Sequence, residues 1–175
     1  MDIETFDRDE SMVCELVRGN SPILKQHLEE FDFNNAPIHP TTITQHLAET
    51  MLHHNGLGLS CNQIGMPYRA CIIKTDPLIC MFNPRIVSHS NDTDILEEGC
   101  LSFPNLIIKI RRPRVIRVRY TEPNGNIVTN KYEGMTARII QHEIDHLDGI
   151  TFDRKANKIH LEQAKRKKQR WERLS

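Results

Sequence analysis

His142-Glu143-Ile144-Asp145-His146 is an HExxH pattern inside a run, Thr136 to Asp148, that holds neither Pro nor Gly to break a helix. Residues four apart on a helix lie about 40° round the axis and one turn along, so both imidazoles reach one cation while Glu143 hangs beside it. The chemistry such a set supports is activation of a water by a divalent metal next to a carboxylate base. Ile139, Ile140, Ile144 and Leu147 fill the neighbouring arc, which predicts a helix buried on that side with its His edge facing a cleft. The plainer reading is a core helix with two hydrogen-bonded His, and a third ligand is what separates the two.

Three sources of that ligand are open. An extended HExxHxxGxxH pattern is followed as far as Gly149, but its last position is Phe152, which cannot bind a metal. Glu162 or Glu172 could serve from a following helix, although both sit in a basic, exposed-looking segment. Cys100 lies in Glu97-Glu98-Gly99-Cys100-Leu101-Ser102, between a flexible Gly and an apolar residue; taken alone it reads more readily as an ordinary buried thiol than as a ligand. A thiolate with two neutral imidazoles would leave a divalent ion one net positive charge and an open position, which suits water activation.

The elements that must position these groups follow from periodicity and punctuation. After the Pro37 to Pro40 turn, Thr41 or Thr42 caps a predicted helix with Ile43, Leu47, Met51 and His54 on one stripe and Gly56 at its end. Gly56-Leu57-Gly58-Leu59-Ser60-Cys61-Asn62-Gln63 reads as a loop whose two Gly let the backbone approach another group; it lacks the third Gly of a dinucleotide fingerprint and follows a helix instead of a strand. Arg69 to Lys74, Ile79 to Val87, Leu106 to Ile110, Val115 to Tyr120 and Ile127 to Tyr132 read as strands. The last two form a hairpin about Pro123-Asn124-Gly125 with Arg117 and Arg119 on its wet face. Strands come first and the HExxH helix after them, so the class is α+β, with mixed or antiparallel sheets packed around that central helix.

At 175 residues and 38% hydrophobic content the chain suits one domain, residues 1–175. Residues 1–20 read as an extension ahead of the fold, ending at Asn20-Ser21-Pro22, and 154–175 as a basic C-terminal helix with Leu161, Ala164, the Lys168 stem and Trp171 on one stripe. Twenty-three basic residues balance twenty-three acidic ones, so the overall field points to neither DNA nor a membrane. Five Cys without a CxxC pair argue against a disulfide framework, no apolar run approaches a membrane span, and the acidic start resembles no export signal, so the protein reads as soluble and cytoplasmic.

Three segments together resemble the peptide deformylases: GLGLSCNQ (Gly56 to Gln63) is similar to their GxGxAAxQ signature, EGCLS (Glu98 to Ser102) matches the second, and HEIDH fits the third, HExDH. Order and spacing agree, and the likeness extends from about Pro22 to Phe152. The resemblance implies a metal-dependent hydrolase that removes the formyl group from the N-terminal formylmethionine of new polypeptides. It implies one divalent ion, Fe(II) foremost, with Zn(II), Ni(II) or Co(II) as substitutes, held by Cys100, His142 and His146. Glu143 would be base and acid; Gln63 and the Leu101 backbone N–H would polarise the formyl oxygen. Gly56, Leu57 and Gly58 would line the substrate cleft, with Glu98 and Gly99 at its edge. The partners implied are formylmethionyl nascent chains and, through the basic C-terminal helix, the ribosome; the molecule is taken as a monomer.

Two departures stand out. Ser60-Cys61 replaces the family's Ala-Ala, read as small side chains filling the same space or, alternatively, as an oxidisable thiol near the metal. Asn105-Leu106-Ile107 stands where many members carry a basic residue, which removes an expected contact to the distal peptide. Two other classes fit the motif alone: a broad metallopeptidase, and a non-catalytic protein with a structural metal and an RNA-binding tail.

Overall fold

The computed structural model describes residues 12–174, so residues 1–11, half of the expected extension, lie outside the described residues. Five strands form one antiparallel sheet in the order β1-β2-β3-β6-β7: β1 (Gly58–Ser60), β2 (Ala70–Ile73), β3 (Ile79–His89), β6 (Val115–Thr121) and β7 (Ile127–Glu133). Between β3 and β6 the chain leaves this sheet to build a second, two-stranded one from β4 (Thr93–Cys100) and β5 (Phe103–Pro113). Helices α1 (Pro40–His53), α2 (Gly134–Leu147) and α3 (Lys158–Glu172) complete an α+β architecture.

The larger sheet is covered on both faces at its β1–β2 end and on one face at β6–β7, and β2 shows why. All four of its residues are buried, with Cys71 and Ile73 in the cluster under α2 and Ala70 and Ile72 in the cluster under α1. On the first side, Ala137, Ile140, Ile144 and Leu147 of α2 meet Met81, Ile116 and Val118. Each buried Ile or Leu there contributes about 1.5–3 kcal/mol. On the second, Ile43, Leu47 and Met51 of α1 meet Leu59, Cys80 and Phe82. A third cluster joins Leu106, Ile108 and Ile110 of β5 to Phe152 and, on α3, Ala164 and Leu161. Leu161 and Ala164 of the C-terminal stripe therefore pack on the fold.

The β6–β7 hairpin forms as expected, pairing Val115 with Glu133 through Thr121 with Ile127, with Gly125 at φ +89° in its turn. Helix α1 differs in detail from the expectation. Its cap is His39, whose Nδ1 accepts from the Thr41 N–H at 3.3 Å, because Pro40 is already preset for the first turn; it ends before His54, which is exposed. Helix α2 stops where Gly149 enters the left-handed region at φ +72°. A Cβ there would lie 2.8 Å from backbone atoms of Lys25 and Gln26, so the end of α2 is seated directly on the N-terminal segment. That segment is tied down further on: Cys14 N–H donates to Thr50 Oγ1 at 2.9 Å and Val17 N–H to the Gln63 carbonyl at 2.8 Å.

Candidate metal centre and active site

Each element delivers its chemical group for a local reason. The strand β4 ends at Cys100, which pairs with Phe103 at the tip of the hairpin after a register shift between Glu98 and Cys100. The helical spacing of α2 brings His142 and His146 together edge to face, with ring centroids 5.0 Å apart. Cys100 Sγ lies 3.2 Å from His146 Nε2, and one ligand atom each from Cys100, His142 and His146 come within 4.8 Å of one another. Among the described residues this is the group of His, Cys and acidic side chains that could hold a metal ion.

The donor set fits a divalent cation on several counts. Burial, reinforced by the charge at His142, pushes His146 well below the ordinary imidazole value, so its ring is neutral and able to ligate. Burial also works against a charge on His142, but hydrogen bonds to Cys100 and Glu98 overcome it and raise the ring to about 10. The site thus already compensates a positive charge at that point, which a metal can supply in place of the proton. Glu98 Oε2 meets His142 Nδ1 at 3.0 Å, fixing the ring and leaving Nε2 toward the thiol.

Beside the cluster, Glu143 is 3% exposed, and its Oε2 is buried without a hydrogen-bond partner among the described protein groups. Burial raises its carboxyl to about 7, against the opposing pull of His142. A carboxylate poised near neutrality, hydrogen-bonded to Ser60 and with one oxygen left without a protein partner, suits proton transfer to and from a reactant. Gln63 follows β1 in a single 3-10 turn; its Oε1 accepts from Ser60 N–H at 3.0 Å, which turns Nε2 toward Cys100 Sγ and Ser102 Oγ, each at 3.4 Å.

A cleft of about 460 Å³ opens over this centre, lined by Gly56, Leu57, Gly58 and Gln63 on one side and Glu98, Gly99, Cys100 and Leu101 on the other, with His142 and Glu143 at its floor. His146 sits behind them, 1% exposed, and does not line the cleft. Gly58 is obligatory for close approach, since a Cβ would fall 2.6 Å from Glu143 Oε1. A larger surface hollow of about 790 Å³, between Phe33–Thr41 and Glu122–Asn124, gathers no such chemical set.

Glu98 has a second place beyond the edge of the cleft. Its carboxylate takes Arg112 Nε at 2.6 Å, Arg112 Nη2 at 2.9 Å and Arg138 Nη1 at 2.7 Å, while Arg112 Nη1 continues to Asp145 Oδ2 at 2.7 Å. The pattern of motifs did not point to Arg112 or Arg138. A signal existed: Leu106, Ile108, Ile110 and Arg112 share the buried face of β5, so a charge fell on the inward register of an alternating strand. Ser60 and Cys61 are both wholly buried, and burial drives the Cys61 thiol well above its ordinary value, placing it in the apolar cluster under α1. Asn105 takes φ +63° and lines the cleft beside Pro104.

The family model for polypeptide deformylase matches residues 13–162. A peptide deformylase of Wolbachia sp. subsp. Brugia malayi is 39% identical over 139 residues, covering 71% of this chain and 78% of that protein. One of Thermotoga neapolitana is 39% identical over 107 residues, and the match spans 61% of this chain and 65% of its relative's length. The fold is similar to the crystal structure of a Synechococcus elongatus peptide deformylase in complex with actinonin, with a TM-score of 0.81, 29% identity and coverage of 89% and 86% of the two chains. Motifs, ligand geometry and fold thus agree with a match over most of the sequence, and this chain belongs to the polypeptide deformylase family.

Proposed function

We propose that this protein hydrolyses the formamide at the N-terminus of formylmethionyl polypeptides, giving formate and a free α-amine. The observation that carries the reading is the meeting of Cys100, His142 and His146 within 4.8 Å under a cleft that Glu143 and Gln63 share. Cys100, His142 and His146 are proposed to hold one divalent ion; the soft thiolate favours Fe(II), with Zn(II), Ni(II) or Co(II) able to replace it. Bound there, the cation supplies Lewis-acid chemistry, acidifying water so that a nucleophile exists at neutral pH.

Glu143 accepts the proton of the attacking water and passes it to the departing amine nitrogen, so the C–N bond breaks with a neutral leaving group. As the formyl carbon becomes tetrahedral, charge gathers on its oxygen, where Gln63 Nε2 and the Leu101 N–H donate. One such donor is typically worth on the order of 100- to 1000-fold in rate. Gly56, Leu57 and Gly58 bound the groove along which the peptide backbone lies, with Gly99 opposite.

Among the described residues no helix is long and apolar enough to cross a membrane. The proposed setting is the cytoplasm, with a monomeric protein meeting nascent chains at the ribosome. Arg166, Arg170 and Arg173 line one side of α3, and their contact with rRNA phosphates would release counterions and weaken steeply with salt. Because Ala164 of α3 belongs to the β5 cluster, charge reversal of these three Arg is a cleaner test than truncation. Salt-sensitive co-sedimentation with ribosomes is expected to vanish while turnover of a short peptide persists; unchanged co-sedimentation refutes the docking role.

The decisive experiment for the activity is formate release from a formyl-Met peptide by anaerobically purified protein, with and without a chelator. Chelator-sensitive release is expected, and its absence refutes the assignment.

A further inference from the structure

We infer that the Ser60 hydroxyl, which this chain has where the family pattern has Ala, is a positioning group for the Gln63 amide. The inference rests on the proposed role of Gln63 as donor to the formyl oxygen.

Ser60 is wholly buried and Gln63 is 2% exposed, so neither can rely on solvent for its hydrogen bonds. The Gln63 amide is held unequally at its two ends. Its Oε1 accepts from Ser60 N–H and from Ser60 Oγ–H, each at 3.0 Å. A backbone N–H can only donate, so the atom facing it is the oxygen and the amide cannot be turned over. The Nε2 end reaches Cys100 Sγ at 3.4 Å, an ordinary length for a sulfur acceptor, and Ser102 Oγ at a long 3.4 Å. Both ends therefore orient the reactive N–H groups, and the oxygen end is the one that Ser60 controls. With Ala at this position a single donor would remain, about which the amide plane can pivot; the hydroxyl adds a second donor, which fixes that plane.

The same hydroxyl ties the turn to the metal-bearing helix. Ser60 Oγ is 2.8 Å from Asn62 Oδ1, and Asn62 Nδ2 donates to the His146 carbonyl at 2.6 Å. One hydroxyl proton thus faces two amide oxygens and the Glu143 carboxylate, and the chain from the His146 carbonyl through Asn62 and Ser60 to Gln63 sets the donor's distance from α2; an effect routed through Glu143 instead would survive in the Gln63→Ala background. The adjacent Cys61 has no part in this, since its side chain packs with α1 on the other face.

The test is a double-mutant cycle on metal-loaded, anaerobic protein. Ser60→Ala is expected to lower kcat about 3- to 10-fold, the range of one neutral hydrogen bond, with KM and metal content unchanged. In a Gln63→Ala background, Ser60→Ala is expected to have no further effect. As a second readout, the Gln63 side-chain NH₂ resonances in a ¹⁵N-labelled sample loaded with diamagnetic Zn(II) are expected to be sharp in the wild type and broadened in Ser60→Ala. Multiplicative effects in the cycle, an effect on KM or metal content in place of kcat, or unchanged Gln63 resonances would overturn the inference. If Gln63→Ala alone leaves kcat untouched, the reading of Gln63 itself fails; if it slows turnover while Ser60→Ala does not, only the positioning role fails.

Discussion

Replacing Glu98 by Gln preserves volume but removes the charge on which four hydrogen bonds converge, from Arg112 twice, Arg138 and His142. The new NH₂ must replace one oxygen. At Oε1 it would face Arg112 Nε and Arg138 Nη1; at Oε2, Arg112 Nη2 and His142 Nδ1, so two donors oppose it either way. The orphaned cations are not wholly unpaired, because Arg112 keeps Asp145 and Arg138 keeps the carbonyls of Ile110 and Asp94. That places the cost at the lower end of the 3–5 kcal/mol for breaking a buried ion pair, about 3 kcal/mol. For a chain of this size the melting temperature is expected to fall roughly 6–12 °C. The freed His142 ring is expected to weaken metal binding about 10- to 100-fold, measured by competition with a chromophoric chelator. Burial works to raise the Glu98 carboxyl, but Arg112 and His142 hold it down at about 2, against 4.5 ordinarily. Its folded value lies below its unfolded one, so it stabilises the fold above about pH 4.5 and that contribution is lost as pH falls toward 2. Over that interval wild-type, metal-free protein is expected to lose more stability than Glu98→Gln. The exposed pair Arg114–Asp94, at 3.1 Å, is the control, since Arg114→Ala is expected to cost less than about 1 kcal/mol. A Glu98→Gln protein within about 1 kcal/mol of wild type in urea denaturation, with unchanged metal affinity, refutes the reasoning.

Glu143→Gln is expected to keep its metal and lose nearly all turnover, as measured by metal analysis beside kinetics; loss of metal in step with activity would make Glu143 a ligand. Cys100→Ala is expected to lose tight Fe(II) binding, whereas Cys61→Ala, in the apolar cluster under α1, keeps both metal and most activity; the opposite pattern refutes the ligand set. Gly149→Ala is expected to destabilise by about 2–4 kcal/mol, combining left-handed backbone strain with contacts at 2.8 Å to the Lys25 and Gln26 backbone. Gly125→Ala, with positive φ but nothing within 4 Å, is expected to show only the backbone part of roughly 1–2 kcal/mol, and equal losses in denaturation would refute the steric share.

What could be read from the sequence was what local chemistry repeats. Two His at helical spacing with an apolar arc beside them define α2 and its buried side, and Ile116, Val118 and Tyr120 against Arg117 and Arg119 define the two faces of β6. The strand β4 was not foreseen, because Asp94, Glu97 and Glu98 interrupt its apolar pattern and its pairing is almost wholly with β5. The strand β1 is only three residues long, and its Gly reads first as a loop. The ion network escaped for a different reason: Glu98 meets Arg112 and Arg138 across 14 and 40 residues, and nothing near any of them in sequence announces the partner. Helix α3 was visible as a basic stripe, but that Ala164 would seat on Ile108 and Phe152 depended on where β5 lies.

The excursion of β4 and β5 away from the main sheet gives the proposed cofactor a second office. The hairpin's strand-to-strand backbone bonds run within itself, so its attachment to the body of the molecule rests on side chains: the Glu98 network, the α3 packing and the approach of Cys100 to α2. A cation shared by Cys100 and the two His would act as a clasp between hairpin and helix. Opening of the hairpin must then release the ion, so amide exchange in β4 and β5 slows by one plus the ratio of free metal to its dissociation constant, about a hundredfold when that ratio is about a hundred. Withdrawal of that metal would unfasten the hairpin as well as empty the cleft's centre, and metal supply would then bear on how long the protein survives proteases.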